Sequence, residues 1–257
     1  MKKKYFFFDI DGTLTDRTTN EIVPSAKVAV KKLQEAGHFV CINTGRAHYK
    51  AEKPRLEFGF DNMVCSGGNG IVINGELIQN TPLDRESCIA VLNEAKEKGI
   101  GYLIAINDSI EVYSDNDLFR EQVGERQEPT TYFIDENFDY NKVEDFYKLY
   151  LSLDEEQEKN FKSIELLGHL RFVKEYVIFQ PDNKKGGILK MMEVLNGDIE
   201  DVVVFGDDYN DLDMFDSRWT CVAMGNACDA LKEKATYVAD RNVDDGIYKI
   251  CSQMNWF

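Results

Sequence analysis

No stretch of this chain approaches the roughly 18 consecutive apolar residues that a membrane-spanning helix needs. The opening Met1-Lys2-Lys3-Lys4 imitates a secretion signal, but the apolar run behind it, Tyr5 to Phe8, stops at Asp9, too short for a signal-peptide core. Basic residues are in deficit: 30 Lys and Arg stand against 46 Asp and Glu, a formal net charge of −16. That balance argues against a nucleic-acid or anionic-membrane partner, while an anionic small molecule would need local cations. No Cys-x-x-Cys pair occurs among the six cysteines, and Cys221 and Cys228, the nearest two, have no histidine nearby to complete a metal set. Cys41, Cys65 and Cys221 lie in apolar, strand-like runs, which predicts buried reduced thiols and a cytoplasmic setting. Internal repeats and low-complexity linkers are also missing. Nothing in the sequence demands an obligatory protein partner.

What remains is an ordinary globular composition, 43% hydrophobic and 30% charged, in 257 residues. Tyr5 to Phe8 reads as a buried parallel strand that ends abruptly in Asp9-Ile10-Asp11-Gly12-Thr13. Ala26, Ala29, Val30 and Leu33 then repeat with helical spacing between Pro24-Ser25 and Gly37, the start and stop signals of an amphipathic helix. Phe39 to Ile42 predicts a second strand ending at Asn43-Thr44-Gly45-Arg46. A polar helix, a third strand at Met63 to Cys65 and a glycine-rich turn at Ser66 to Gly70 follow. This alternation predicts an α/β fold, a Rossmann-like parallel-sheet core.

From about Thr81 the texture changes. Arg85 to Lys98 predicts a helix closed by Gly99; Tyr102 to Ile106 and Ile110 to Tyr113 predict strands. Helical runs near Lys142 and Asp154 and a strand from Leu170 to Phe179 complete a separate α+β unit. Its aromatics, Tyr132, Phe133, Phe138, Tyr140, Phe146, Tyr147 and Tyr150, could stack on a ring, but the reading preferred is that unit's core. The βα rhythm returns at Lys184, with a helix at Ile188 to Leu195 and an apolar strand at Val202 to Phe205. Thr220 to Ala223, Tyr237 to Ala239 and a final helix from Gly246 close the chain. The predicted organisation is a discontinuous core, residues 1–80 and 184–257, interrupted by an inserted α+β domain, residues 81–183.

Four chemical signals fall at ends of predicted core elements: Asp9-x-Asp11-Gly-Thr, Thr44-Gly45-Arg46, Lys185-Gly186, and Gly206-Asp207-Asp208-Tyr209-Asn210-Asp211. Taken singly, each has a bland reading as a turn, a helix cap or a solvated charge. Taken together, each sits where it could face one crevice, beyond the carboxyl ends of the strands, where open α/β sheets bind ligands. Asp9, Asp11, Asp207 and Asp211 gathered there would repel by about 4 kcal/mol per close pair at intermediate dielectric. A hard divalent cation removes that penalty and prefers oxygen donors. With a lysine, a hydroxyl, an amide and backbone N–H groups added, the set suits a metal-bound phosphate. The carboxylate nearest phosphorus could serve as nucleophile and the second could protonate the leaving oxygen.

Asp9-Ile-Asp11-Gly-Thr-Leu-Thr, Thr44-Gly-Arg46, Lys185-Gly186 and Gly206-Asp-Asp-Tyr-Asn-Asp211 resemble the four motifs of the haloacid dehalogenase superfamily. Ala223-Met-Gly-Asn-Ala227 and Asp244-Asp245-Gly246 narrow the resemblance to its Cof-type phosphatases. The resemblance covers both core segments, and the insertion falls where the class IIB cap falls, after Thr44 and before Lys185. It implies Mg²⁺-dependent hydrolysis of small phosphorylated metabolites, sugar or cofactor phosphates, through an aspartyl-phosphate. Asp9 would be the nucleophile and Asp11 the acid and base. Ile10, Thr44, Gly45, Arg46, Lys185 and Asn210 would bind phosphate and substrate; the spacing to Gly186 favours Lys185 over its neighbour Lys184. The metal would take Asp9, the backbone carbonyl of Asp11, Asp207 and, directly or through water, Asp211. Arg46 has two open roles, touching substrate or holding a core carboxylate, and Asp208 is an extra acid without an assigned role. A phosphomutase of the same superfamily and a non-catalytic phosphate-ligand sensor are the alternatives.

Overall fold

The computed structural model describes residues 2–171 and 173–257; Met1 and Phe172, which fall in the opening segment and in the expected Leu170–Phe179 strand, lie outside them. In chain order the elements are β1 (Tyr5–Phe8), α1 (Pro24–Glu35), β2 (Phe39–Asn43), α2 (His48–Phe58), β3 (Asn62–Cys65), β4 (Gly70–Ile73) and β5 (Glu76–Asn80). Next come α3 (Arg85–Glu97), β6 (Tyr102–Ala105), β7 (Glu111–Ser114), α4 (Leu118–Val123), β8 (Thr131–Ile134), β9 (Lys148–Leu151), α5 (Glu155–Lys159), β10 (His169–Leu170) and β11 (Val177–Phe179). The chain ends with α6 (Lys184–Leu195), β12 (Val202–Gly206), β13 (Thr220–Ala223), α7 (Asp229–Lys234), β14 (Tyr237–Val238) and α8 (Gly246–Gln253). They form two compact units, Met1–Asn80 with Asn183–Phe257, and Thr81–Asp182. No helix among the described residues is long and apolar enough to cross a membrane.

The first unit is built on an eight-stranded sheet in the order β14-β13-β12-β1-β2-β3-β4-β5. Strand β1 is central because it can be: Phe6, Phe7 and Phe8 are each fully buried, as a strand covered on both faces must be. It pairs in parallel with β2 on one side and β12 on the other, Phe8 lying level with Ile42 and with Phe205. The chain winds outward from β1 through β2 to β3, then returns to place β12 on the opposite side, so the order reverses between β1 and β12. That reversal opens the crevice beyond the strand ends. The expected parallel sheet carries an antiparallel edge, where β4 and β5 follow the glycine-rich turn and fold back onto β3. Helix α1 starts with Pro24 in its first turn and buries Ala26, Ala29, Val30 and Leu33, the residues its periodicity marks.

The second unit carries a six-stranded sheet, β10-β11-β9-β6-β7-β8. Tyr140 and Phe146 lie in one of its apolar clusters and Tyr150 in another, with Phe138 and Tyr132 partly buried against them, and Tyr147 is half-buried. Phe133 departs from the core reading: on the outward face of β8, it is 43% exposed. Two further expectations fail here. The helix near Lys142 is a single 3₁₀ turn, Tyr140–Lys142, because Phe146 is drawn into extended pairing, its carbonyl accepting the Leu83 N–H at 2.7 Å. The strand from Leu170 to Phe179 is broken into β10 and β11, folded back as an antiparallel pair. Arg171 secures that reversal by donating to the carbonyls of Lys174 and Leu153.

Candidate active site

Asp9, Thr44 and Asp207 follow the last residues of β1, β2 and β12, and the parallel register brings them to one end of the sheet. The Asp9 N–H continues the ladder to the Phe205 carbonyl at 3.0 Å, and the Thr44 N–H donates to the Val64 carbonyl at 2.9 Å. Asp9 is 4% exposed, Asp207 2% and Asp211 0%, an expensive concentration of carboxylates unless it is compensated.

One compensating cation is Lys184, the first residue of α6 and only 1% exposed. Its Nζ donates to Asp9 Oδ1 at 2.7 Å and to Asp211 Oδ1 at 2.6 Å. The position depends on close backbone approach. Asn183 caps α6 by accepting the Gly186 N–H, and its own N–H binds the Gly67 carbonyl at 2.8 Å. A Cβ on Gly187 would lie 2.4 Å from Val64 Cγ1, so glycine there lets the helix start sit against β3 and the turn after it. Lys185, expected to hold phosphate, turns elsewhere: its Nζ stands 3.6 Å from Asp213 and 3.9 Å from Asp216. The lysine of this site is Lys184.

The other end of the carboxylate set is braced by backbone. Asp211 Oδ2 accepts the N–H groups of Asp207 and Asp208, at 2.9 and 3.2 Å, from within a 3₁₀ turn, Tyr209–Met214. Asn210 is half-buried on the same turn. Asp207 Oδ1 accepts the Thr13 hydroxyl at 3.0 Å. Asn226 donates to the Gly12 carbonyl at 2.8 Å, joining the loop after β13 to the loop after β1. Gly12 has φ 94°, and a Cβ there would come within 2.2 Å of Asp207 Oδ2, so only glycine permits this approach.

Arg46 holds a carboxylate of the core. Its Nε and Nη2 donate to the two carboxylate oxygens of Asp11, at 3.0 and 2.5 Å, a bidentate pair. The Arg46 N–H meanwhile donates to Thr44 Oγ1 at 3.2 Å. Ile10 is fully buried, and its carbonyl accepts the Thr15 hydroxyl, so it shapes the loop between the two aspartates.

Burial and the nearby Asp211 charge push the Asp9 carboxyl up to about 8, despite Lys184. Burial likewise pushes Asp207 up to about 7, against the pull of Arg17. For Lys184 burial works downward, but the Asp211 and Asp9 carboxylates outweigh it and hold the ammonium charged. Among the described residues, Asp9, Asp207 and Asp211 each offer a carboxylate oxygen within 4.8 Å of the others. Three buried acids, two of them reluctant to ionise, fit a divalent cation with oxygen preference.

Sequence reasoning did not reach Thr13, Arg17, Asn226 as a bridge, or Lys184 over Lys185. Thr13 follows directly from Asp11-Gly12, and Asn226 lies in the Ala223–Ala227 segment, so both had a local signal. Arg17 had none: its partner Asp208 lies 191 positions away.

The sequence model described as haloacid dehalogenase-like hydrolase matches residues 6–250. YkrA of Bacillus subtilis (strain 168), named as a phosphatase, is 32% identical over 250 residues, covering 96% of each chain. YwtE of the same organism, named a 5-amino-6-(5-phospho-D-ribitylamino)uracil phosphatase, is 28% identical over 98% of each chain. The solved structure of BT4131, described as a subclass IIB sugar phosphatase, superposes with a TM-score of 0.77 at 22% identity, over 99% of this chain and all of that one. The chain belongs to the haloacid dehalogenase-like hydrolases. Within that family it is a Cof-type phosphoric monoester hydrolase.

Proposed function

We propose that the chain is a Mg²⁺-dependent phosphatase of small phosphorylated metabolites, sugar or cofactor phosphates, that works through an aspartyl-phosphate on Asp9. The observation that carries this reading is the placing of the Asp9 carboxylate. It stands at the open end of the central strand, next to a buried lysine and two more buried acids. The phosphoribityl compound in the name of YwtE is a small metabolite of the proposed class.

In this reading Asp9, the Asp11 carbonyl and Asp207 hold the metal, with Asp211 behind them. The bound cation would neutralise the acids and polarise the phosphoryl oxygens. The chain's own residues do the rest. Lys184 keeps one Asp9 oxygen engaged, which leaves the other to attack phosphorus. Thr44, the backbone N–H group of Gly45, Asn210 and Lys184 supply donors to the phosphoryl oxygens. As charge moves onto the leaving oxygen, Asp11 delivers a proton to it. Asp11 then takes a proton from the water that hydrolyses the Asp9 ester. Arg46 is a positioning residue: its two bonds to Asp11 hold that carboxylate in the pose suited to the base step, and Asp11 leaves them to act as acid. The six thiols, all free, accord with a cytoplasmic enzyme.

The test is phosphate release from p-nitrophenyl phosphate and a panel of sugar and cofactor phosphates, with Mg²⁺ or with chelator. Release that needs Mg²⁺ and disappears in Asp9→Asn is expected. Release that survives Asp9→Asn would remove Asp9 as nucleophile.

A further inference from the structure

Arg17, in the loop between β1 and α1, makes three contacts that the hydrolytic reading does not use. Its Nε donates to the Asp11 carbonyl at 3.3 Å, and its Nη2 lies 2.9 Å from Asp207 Oδ2 and 2.7 Å from Asp208 Oδ2. The first two oxygens are the ones assigned above to the metal. A guanidinium bridging them spreads one positive charge over a carbonyl and a buried carboxylate, as a bound cation would. A Cβ on Gly12 would fall 2.4 Å from Arg17 Nε, so the same glycine that admits Asp207 admits this side chain.

The arginine is also free to leave. Its side chain is half-exposed, at 50%, whereas Asp207 is 1% exposed at its side chain, and Asp208, at 38%, reaches solvent beside the site. We propose that Arg17 is a tethered cation that competes with the divalent metal for Asp207 and the Asp11 carbonyl, and that Asp208 is the anchor it keeps when the metal enters. The inference rests on the metal reading of the site, and it gives the extra acid of the Gly206–Asp211 segment a task. Between two cations for one pair of oxygens, binding of either weakens the other by the same factor. The metal affinity of the chain is then set partly by how firmly this loop arginine holds on.

The test is isothermal titration of metal-free protein with Mg²⁺, for wild type and Arg17→Gln, with Mn²⁺ binding followed by electron paramagnetic resonance as a second readout. Arg17→Gln should bind both ions about fivefold more tightly, the range of one partly exposed ion pair. In chelator the variant should melt below wild type, and in saturating Mg²⁺ the two should coincide, which also shows that it folds. Asp208→Asn should weaken metal binding in wild type more than in the Arg17→Gln background. Unchanged or weaker metal binding in Arg17→Gln would overturn the competition while leaving the metal site standing. Absence of binding in both proteins would overturn the metal site and the competition together.

Discussion

Replacing Lys184 by Met keeps most of the side chain's volume and removes only its charge. In the structure that charge sits 2.7 Å from Asp9 and 2.6 Å from Asp211, all three groups being almost fully buried. Taking one partner from a buried ion pair leaves uncompensated charge and costs about 3–5 kcal/mol. For a chain of this size that corresponds to a fall in melting temperature of roughly 10 °C for the core unit. The cost should depend on pH with a definite sign. Asp9 already holds its proton up to about 8 in the folded chain against a reference of 3.8, so the folded state binds more protons than the unfolded one between those values. Losing Lys184 raises Asp9 further; protonation relieves the charge at low pH, and the variant is penalised more at pH 9 than at pH 6. Saturating Mg²⁺ should recover part of the loss. Phosphatase activity should drop by about 10²–10³, the cost of one electrostatic group at a transition state. Lys185→Met is the control. Its ion pairs are long and partly exposed, at 3.6 and 3.9 Å, and it should stay within about 1 kcal/mol of wild type with activity retained. Thermal melts with and without metal, and steady-state rates for both variants, decide the matter. A stable Lys184→Met beside an inactive Lys185→Met would refute the reasoning.

Further outcomes follow from the same geometry. Apparent Mg²⁺ affinity should rise as pH climbs through the range from about 7 to about 8, where Asp207 and Asp9 give up the protons that compete with the ion; titrations at several pH values would show a flat profile if these acids were not ligands. Arg46→Ala frees Asp11 from its two bonds, and should lower kcat far more than KM while leaving metal affinity unchanged, a split that separates positioning from binding. Gly12→Ala must put a methyl 2.2 Å from Asp207 Oδ2 at positive φ, so metal binding and activity should both fail even if the fold survives, as read by titration and circular dichroism. His38 accepts the Lys4 N–H and donates to the Trp256 carbonyl as a neutral ring, and burial holds its pKa below the usual value. Stability present above pH 6.5 should therefore be lost as pH falls below it, and His38→Gln should flatten that part of the melting profile.

The parts of the structure that a reader could take from the chain are those where local pattern and burial agree. Phe6 to Phe8 form a fully buried central strand, and the acids after it could only face the crevice. The same holds for Val202 to Phe205 and Asp207. The choice between Lys184 and Lys185 was different in kind. One residue along a helix turns a side chain by about 100°, so it depends on where α6 begins. Asn183 and the contact of Gly187 with Val64 fix that start in space rather than in sequence. Arg17 was invisible for a similar reason, since its three partners meet only when β1 and β12 pair. In the inserted unit, β8 and β9 were hidden because their residue types do not alternate with burial. Thr131–Ile134 alternates exposed and half-buried in space, but its outward face carries the apolar Phe133, and Lys148–Leu151 buries its last three residues in succession. Asp11 sat plainly in its motif, yet the side chain that holds it, Arg46, lies 35 positions away and meets it only in the folded chain.

Phosphorylation of Asp9 during turnover is directly readable. The enzyme is quenched in the act with acid, reduced with borohydride and mapped as peptides by mass spectrometry, because reduction converts an aspartyl-phosphate to homoserine. Homoserine is expected at position 9, dependent on substrate and divalent metal. Homoserine at position 11 instead, or at neither position in an enzyme that turns over, would contradict it.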